Sequence, residues 1–412
     1  MQSTLCHKVI VAHKFAQATF FCCKPRLFGD NEDVDTEQKL NILAESSKFD
    51  LACACKHADE PGRRRGPAGR WIYPAALPSG RKVFLLKTLQ TNACANDCSY
   101  CPFNARRDLA RTTVGPDELA RTFIDMLDAN RVSGLFLSSG VPGEPDQAMD
   151  RMLATVELVR RRHQFRGFVH LKVLPGSSPA AIEQAVRLAT RVSVNIEAPN
   201  AQRLAHLSQR KRFYEDIVAA IENIARLRQQ LNPRCQQTTQ FVVGAAGESD
   251  REIATTTARL YHRFKMERVY FSAYQPPGPS VTTEQPALFD DVPTRTVRST
   301  AGSPLFTREH RLYQVDFLFR RYGFALDDIA FDAQGQLDLD ADPKLIWARN
   351  HPQAFPVNVN YADRHDLLRV PGIGPIGAQR ILKARKISRI QNVQQLRALG
   401  LRSSLAWAYV CF

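Results

Sequence analysis

Between Val83 and Tyr274 the chain repeats one theme six times: an apolar run of strand length, then a stretch with helical periodicity. The candidate strands are 82–89, 134–140, 167–174, 191–198, 236–244 and 268–274. Amphipathic stretches lie between them at 116–130, 146–163, 179–189, 200–231 (broken near Gln209) and 250–264. Alternating β and α elements imply parallel strands joined by right-handed crossovers. The expected fold class is therefore α/β: a partial (β/α)6 barrel, with an open doubly wound sheet as the alternative. Parallel strands are buried on both faces, so polar residues within them need a reason. Here they share parity: His170 and Lys172; Ser193, Asn195 and Glu197; Thr238 and Gln240; Tyr270, Ser272 and Tyr274. With a side-chain period of two, each set points one way, and helices cover the outside of a barrel. A polar lumen, and hence a site, is expected.

Directly after the first strand stands Cys94-Ala-Asn-Asp-Cys98-Ser-Tyr-Cys101. Active sites of such barrels gather at the C-terminal ends of the strands, where this loop falls. Thiolates are soft ligands that select zinc or iron–sulfur clusters, and three of them can hold a four-iron cluster with one iron left open. A structural zinc site needs four closed ligands, and no matching second pair is evident. Cys22 and Cys23 are adjacent, and Cys53 and Cys55 flank one alanine, so neither pair has this spacing.

The CxxxCxxC spacing with an aromatic, Tyr100, before the last cysteine resembles the radical S-adenosylmethionine (SAM) superfamily. The resemblance implies a [4Fe–4S] cluster on Cys94, Cys98 and Cys101. It further implies SAM bound at the open iron and reductive cleavage to methionine and a 5′-deoxyadenosyl radical, with an external electron donor. The superfamily's Gly-Gly-Glu segment corresponds to Ser138-Ser139-Gly140, with Glu144 four residues later; this is a departure from the motif. The fourth-strand polar position corresponds to Ser193, Asn195 or Glu197. The segment 242–249, with Gly244, Gly247 and Glu248, resembles the adenine-binding turn, and Glu248 and Ser249 also read as helix-capping residues. Lys172 is a candidate partner for the SAM carboxylate or a member of a structural ion pair.

Near the C-terminus, 363–369 reads as a helix, Val370-Pro-Gly-Ile-Gly374 as a tight turn, and the residues to about Arg385 as a second helix. Backbone N–H groups at such a turn, with the following helix N-terminus, make an anion site. The pattern resembles the helix-hairpin-helix module of DNA repair proteins, with Gly372, Ile373 and Gly374 in the hairpin and Arg380, Lys383, Arg385 and Lys386 as phosphate-facing candidates. Residues 393–410 repeat the period without a Gly-x-Gly turn and read as a degenerate second copy. Such a hairpin positions a protein on phosphates without reading bases.

The charge agrees with a polyanionic partner. The net +15 is concentrated: residues 61–110 and 361–412 each carry +7 and residues 1–29 carry +4, leaving the remainder near neutral. No apolar run approaches the roughly 20 residues of a membrane span, which excludes a membrane enzyme. Ten cysteines in a chain of 412 residues form no dense disulfide framework, so a reducing cytoplasm is expected. The expected divisions are an N-terminal extension (1–38), a segment preceding the barrel (39–81), the barrel (82–276), a linker (277–308), a helical connector (309–360) and an all-α helix-hairpin-helix domain (361–412). From residue 39 onward the chain resembles a bacterial family of DNA modification or repair radical SAM proteins, with landmarks at 39–50, 134–140, Glu309-His-Arg-Leu-Tyr-Gln314 and 370–374. That resemblance implies a radical enzyme acting on DNA, with a uracil-DNA-glycosylase-like protein as a prospective partner. RNA modification and a non-enzymatic iron–sulfur repair accessory are the alternatives.

Overall fold

A computed structural model of the chain describes residues 36–47, 64–65, 71–76, 82–276 and 304–412. The basic stretch 1–29, the Cys22/Cys23 and Cys53/Cys55 pairs and most of the expected linker lie outside the described residues. The strands are β1 (Arg64–Arg65), β2 (Trp71–Ala76), β3 (Lys82–Leu89), β4 (Gly134–Ser138), β5 (Phe168–Lys172), β6 (Arg191–Ser193), β7 (Gln236–Val243) and β8 (Arg268–Ala273). They form one sheet in chain order, parallel from β3 to β8. The sheet is longer than the sequence implies, because β2 runs antiparallel along β3 and β1 antiparallel along β2. Pro74 within β2 weakens that strand's signal in the sequence; proline is tolerated close to a sheet edge.

Helix α1 (Thr36–Ser47) precedes the sheet, and α2 (Pro116–Asp128), α3 (Pro145–Glu157), α4 (Pro179–Leu188), α5 (Ala201–Leu207), α6 (Ala219–Leu231) and α7 (Asp250–Phe264) follow its parallel strands. The expected break near Gln209 separates α5 from α6. The single helix expected over 146–163 instead relaxes into a π turn at Leu158–Arg162. There Arg160 binds the carbonyls of Leu188, Phe165 and Gly167. One apolar core, including Phe123, Leu135, Leu171, Phe241 and Phe271, fills the space between sheet and helices.

The fourth expected strand is cut short at Ser193 for a local reason. The Thr239 hydroxyl accepts the Ile196 N–H at 2.9 Å and donates to the Val194 carbonyl at 2.7 Å, replacing the backbone ladder. Glu197 then takes φ +63°, a left-handed conformation that is uncommon outside glycine, and rejoins β7: its N–H donates to the Gln240 carbonyl and its carbonyl accepts from the Val242 N–H, both at 2.9 Å.

The sheet does not close on itself among the described residues, and side chains cover its last edge. The N–H groups of Val269, Phe271 and Ala273 on β8 donate to the Tyr261 hydroxyl (2.8 Å), the Tyr313 hydroxyl (3.1 Å) and a Glu309 carboxylate oxygen (2.6 Å). Tyr313 and Glu309 belong to α8 (Pro304–Phe317), which extends through a π turn to Tyr322. The remaining chain supplies α9 (Pro343–Asn350), α10 (Arg364–Arg369), α11 (Pro375–Ala384) and α12 (Val393–Ala398). A two-residue parallel pair, β9 (Val357–Asn358) with β10 (Val410–Cys411), ties the two ends of the C-terminal unit together. That unit has its own core, with Leu367, Val370, Ile373, Ile381 and Leu396 at its centre. No helix among the described residues is long and apolar enough to cross a membrane.

Candidate functional site

The loop after β3 is held shut by polar side chains. Asn92 donates to the Ala110 carbonyl and accepts from the Thr112 N–H, both at 2.8 Å. Asn104 donates to the carbonyls of Asp97 and Cys98. Arg111 binds the carbonyls of Asn92, Phe103, Asn104 and Arg107 at 2.7, 2.9, 2.9 and 3.0 Å. Gly140, after β4, leaves no room for a side chain: a Cβ there would stand 2.2 Å from the Ala93 carbonyl oxygen. Inside this frame Cys98 is buried and Cys94 and Cys101 are half-buried.

The three thiols line a cavity at the C-terminal ends of the strands, with Tyr100, Ser138, Ser139 and Gly140 beside them. Its other wall is polar: Lys172, Asn195, Glu197, Gln240, Ser272 and Tyr274 all reach it. Other expected site residues lie elsewhere. Ser193 sits deeper, its hydroxyl 2.9 Å from Nε2 of His170. Of the segment 242–249 Val242 lines the cavity, while Gly244 and Glu248 lie in the turn that follows it. A Cβ on Gly244 would strike Leu305 of α8 at 2.5 Å. The Glu248 carboxylate folds its own turn by accepting the N–H groups of Gly244 (2.5 Å) and Ala246 (3.1 Å), and Arg308 pairs with it at 3.5 Å. Glu144 is exposed as the N-cap of α3, outside the cavity.

The residue that sequence reasoning missed is Lys211. It lies in the break between α5 and α6, where Ser-Gln-Arg-Lys-Arg reads as a solvated charge run. The fold brings it into the cavity, 3.0 Å from the Tyr100 hydroxyl and 3.5 Å from the Glu197 carboxylate. Burial opposes its charge, but Cys98, Glu197 and Cys101 outweigh that penalty and hold its pKa above the usual lysine range. Burial, and then the neighbouring Cys98, push the Cys101 thiol up to about 12. Burial and the charges of Glu197 and Cys98 likewise raise Tyr100.

This donor set discriminates between metals. A single tetrahedral zinc with bonds of about 2.3 Å would hold its sulfurs about 3.8 Å apart. Among the described residues, the group of three ligand-bearing side chains whose atoms all lie within 4.8 Å is Asp363, His365 and Asp366, not the cysteines. The cavity lining carries three thiols and no fourth cysteine or histidine among the described residues, a donor set that suits a cluster with one open iron better than a closed four-ligand zinc site.

Residues 89–260 match the family model described as Radical SAM superfamily. The chain carries a radical SAM domain. Members of this superfamily bind a [4Fe–4S] cluster and SAM, and the three cavity thiols fit that requirement. Among solved structures, the FeFe-hydrogenase maturase HydG from Carboxydothermus hydrogenoformans is 13% identical, over 77% of this chain and 80% of that one, at a TM-score of 0.43. Methylornithine synthase (PylB) is 17% identical over 47% of this chain, at a TM-score of 0.38, and the match spans 54% of its own length. The cobalamin-dependent radical enzyme OxsB is 12% identical over 42% of this chain and 29% of its own, at a TM-score of 0.30. A search of curated proteins gave no match.

Beyond the radical SAM domain, residues 353–399 match a helix-hairpin-helix motif. Its turn is built as such a hairpin requires. Gly372 sits at φ +82°, where a side chain would be strained and would meet the Ser403 hydroxyl at 2.5 Å. Ile373 is buried, and Gly374 is the N-cap of α11. Lys344 of α9 reaches under the turn and donates to the Ile373 carbonyl at 2.6 Å. Lys383 and Lys386 are exposed. Arg380, which is exposed, and Arg385 also make contacts within the unit. Arg380 binds the Leu399 carbonyl at 2.9 Å, and Arg385 binds those of Val359 and Ala362, so both have packing duties inside the unit.

Proposed function

We infer that the protein is a radical enzyme that modifies or repairs DNA, with the cavity as its reaction chamber and the hairpin as its grip on the nucleic acid. The observation that carries this reading is a cavity lined by three thiols in the same chain as a helix-hairpin-helix turn whose unit is packed firmly on the preceding helices. Arg369 of α10 stacks on Phe324 and Trp347, with centroid distances of 3.9 and 4.7 Å, and pairs with Asp328 at 3.0 Å. Nucleic acid held at the hairpin is therefore held against a fixed frame.

Cys94, Cys98 and Cys101 would hold the cluster, which when bound would supply the electron for reductive cleavage of SAM and so the radical that would abstract hydrogen from the substrate. Ser138, Ser139, Lys172, Asn195 and Glu197 supply the polar groups for the amino, carboxylate and ribose parts of SAM. Tyr100 and the apolar lining, including Leu89, Val141 and Leu174, limit water around the reacting atoms. Lys383 and the backbone of 372–374 hold phosphate with little sequence preference.

The test is anaerobic reconstitution of the full chain with iron and sulfide, reduction with dithionite, and chromatographic assay of 5′-deoxyadenosine with and without duplex DNA. Production that rises with duplex DNA and vanishes in Cys98→Ala supports the reading. Stimulation by structured RNA alone moves the substrate to RNA. No 5′-deoxyadenosine from protein with a full cluster and bound SAM overturns the enzymatic reading in favour of a DNA-binding accessory.

A further inference from the structure

Leu89, Phe103, Val141 and Leu174 line the cavity beside the thiols, and an apolar lining disfavours negative charge. A cluster on three thiolates is anionic, and one-electron reduction makes it more so. The charges that offset this are therefore decisive. Two cations interact with the thiols, and they are bound differently. Arg111 feels Cys94 and Cys101 but turns its guanidinium to four carbonyls. Lys211 instead brings its ammonium into the cavity lined by the thiols, 3.0 Å from the hydroxyl of Tyr100, which stands between Cys98 and Cys101 in the chain.

The chain invests heavily in placing that ammonium. The Ser208 hydroxyl donates to Asp97 at 2.5 Å and accepts the N–H groups of Arg210 and Lys211. The Gln209 N–H donates to the same Asp97 carboxylate, the Arg210 guanidinium to the Ala95 carbonyl, and the Ser99 N–H to the Leu207 carbonyl. Residues 207–211 are thus stitched to the cysteine loop along its length. On the far side stands Glu197, its side chain 6% exposed against 9% for Lys211, on a backbone held at φ +63°. A non-glycine residue kept in that conformation inside a cavity is a mark of a functional constraint.

We propose that Lys211 is a positioning residue that raises the reduction potential of the cluster through its fixed positive charge, with Glu197 and Tyr100 fixing where that charge sits. The electron enters from an external low-potential donor, and the oxidised cluster is reduced by one electron with no proton taken up by Lys211. An ammonium beside the sulfur stabilises the more negative, reduced form more than the oxidised form. Net charge is among the established levers on the potential of a cluster, and in a shielded site the Coulomb contribution is larger than in water. Glu197 works in the opposite direction on the cluster while anchoring the lysine.

This inference rests on the three cysteines holding the cluster, which iron and sulfide analysis of the wild type tests separately. The experiment compares midpoint potentials of reconstituted wild type, Lys211→Met, Lys211→Arg and Glu197→Gln without SAM, by mediated titration followed through the electron paramagnetic resonance signal of the reduced cluster. Lys211→Met is expected to shift the midpoint negative, Lys211→Arg to retain most of the wild-type value, and Glu197→Gln to shift it positive. A Lys211→Met protein with full iron and sulfide and an unchanged or more positive midpoint overturns the proposal. If Lys211→Met holds no cluster, Glu197→Gln decides, and an unchanged or negative shift there overturns it. A wild type that takes up no cluster removes its premise together with the enzymatic reading.

Discussion

Arg111 should control how long the cluster stays bound. Replacing it with methionine keeps the stem and removes four hydrogen bonds to backbone carbonyls between Asn92 and Arg107. Hydrogen bonds from a charged donor contribute roughly 1.5–3 kcal/mol each, and an orphaned buried carbonyl costs about 1–3 kcal/mol. Arg111 is only part-buried and water reaches some of the freed carbonyls, so the sum is discounted to about 3–4 kcal/mol. Because 1.36 kcal/mol is a factor of ten, that loss multiplies the population of the opened loop by about 100 to 1,000. The assay is the anaerobic rate of iron transfer from reconstituted protein to an excess of a ferrous chelator, beside a thermal melt of the apoprotein. Arg111→Met should release iron faster by about that factor. Arg111→Lys should fall between, because one ammonium cannot span four carbonyls set around a planar fork. Release at the wild-type rate from Arg111→Met would refute the view that these carbonyl contacts close the loop.

Three further outcomes follow from the same geometry. Gly140→Ala drives a methyl group into the Ala93 carbonyl and should abolish cluster uptake while leaving far-ultraviolet circular dichroism unchanged; normal iron content would contradict the packing described. Gly372→Ala forces a side chain into the left-handed region, costing about 1–2 kcal/mol, and against Ser403, so duplex DNA affinity should fall, with part of the loss restored by adding Ser403→Gly. Lys344 is brought down to about 7, by burial first and by Arg369 in addition, with Asp342 opposing. Above that pH and below the ordinary lysine value, the unfolded chain holds a proton that the folded chain lacks. Stability should therefore rise with pH from 7 toward 10, by at most about 1.4 kcal/mol per unit. Urea midpoints between pH 7 and 9 should show that rise in wild type and lose it in Lys344→Met.

The alternation of strands and helices was legible because each apolar run is long enough and each helix amphipathic. The limits of that legibility are local. β6 ends early because a threonine hydroxyl on its neighbour takes over the ladder, and no pattern in 191–198 announces what Thr239 does. The cysteines declare themselves by spacing within eight residues, whereas Tyr100 and Lys211 meet across 111 positions of chain. Lys211 sits among other basic residues, so composition reads it as solvent-facing. In the segment 242–249 only the structure shows how the turn is made: Glu248 folds it by accepting two of its N–H groups, and Gly244 leaves room for Leu305 of α8. Glu309 and Tyr313 stood out in the sequence as landmarks, and only the structure gives the reason, because their oxygens meet N–H groups of β8.

Those two side chains bear on how such a protein can be taken apart. A strand edge left bare is a template for a second chain, and here the cover comes from the far side of the segment 277–303, on the helix that leads into the hairpin unit. The cavity and the hairpin unit therefore share a stave: a cut within 277–303 strips the sheet of its edge cover, whereas a cut at residue 360 leaves that cover in place. A chain ended before residues 304–317 should recover from expression as aggregate.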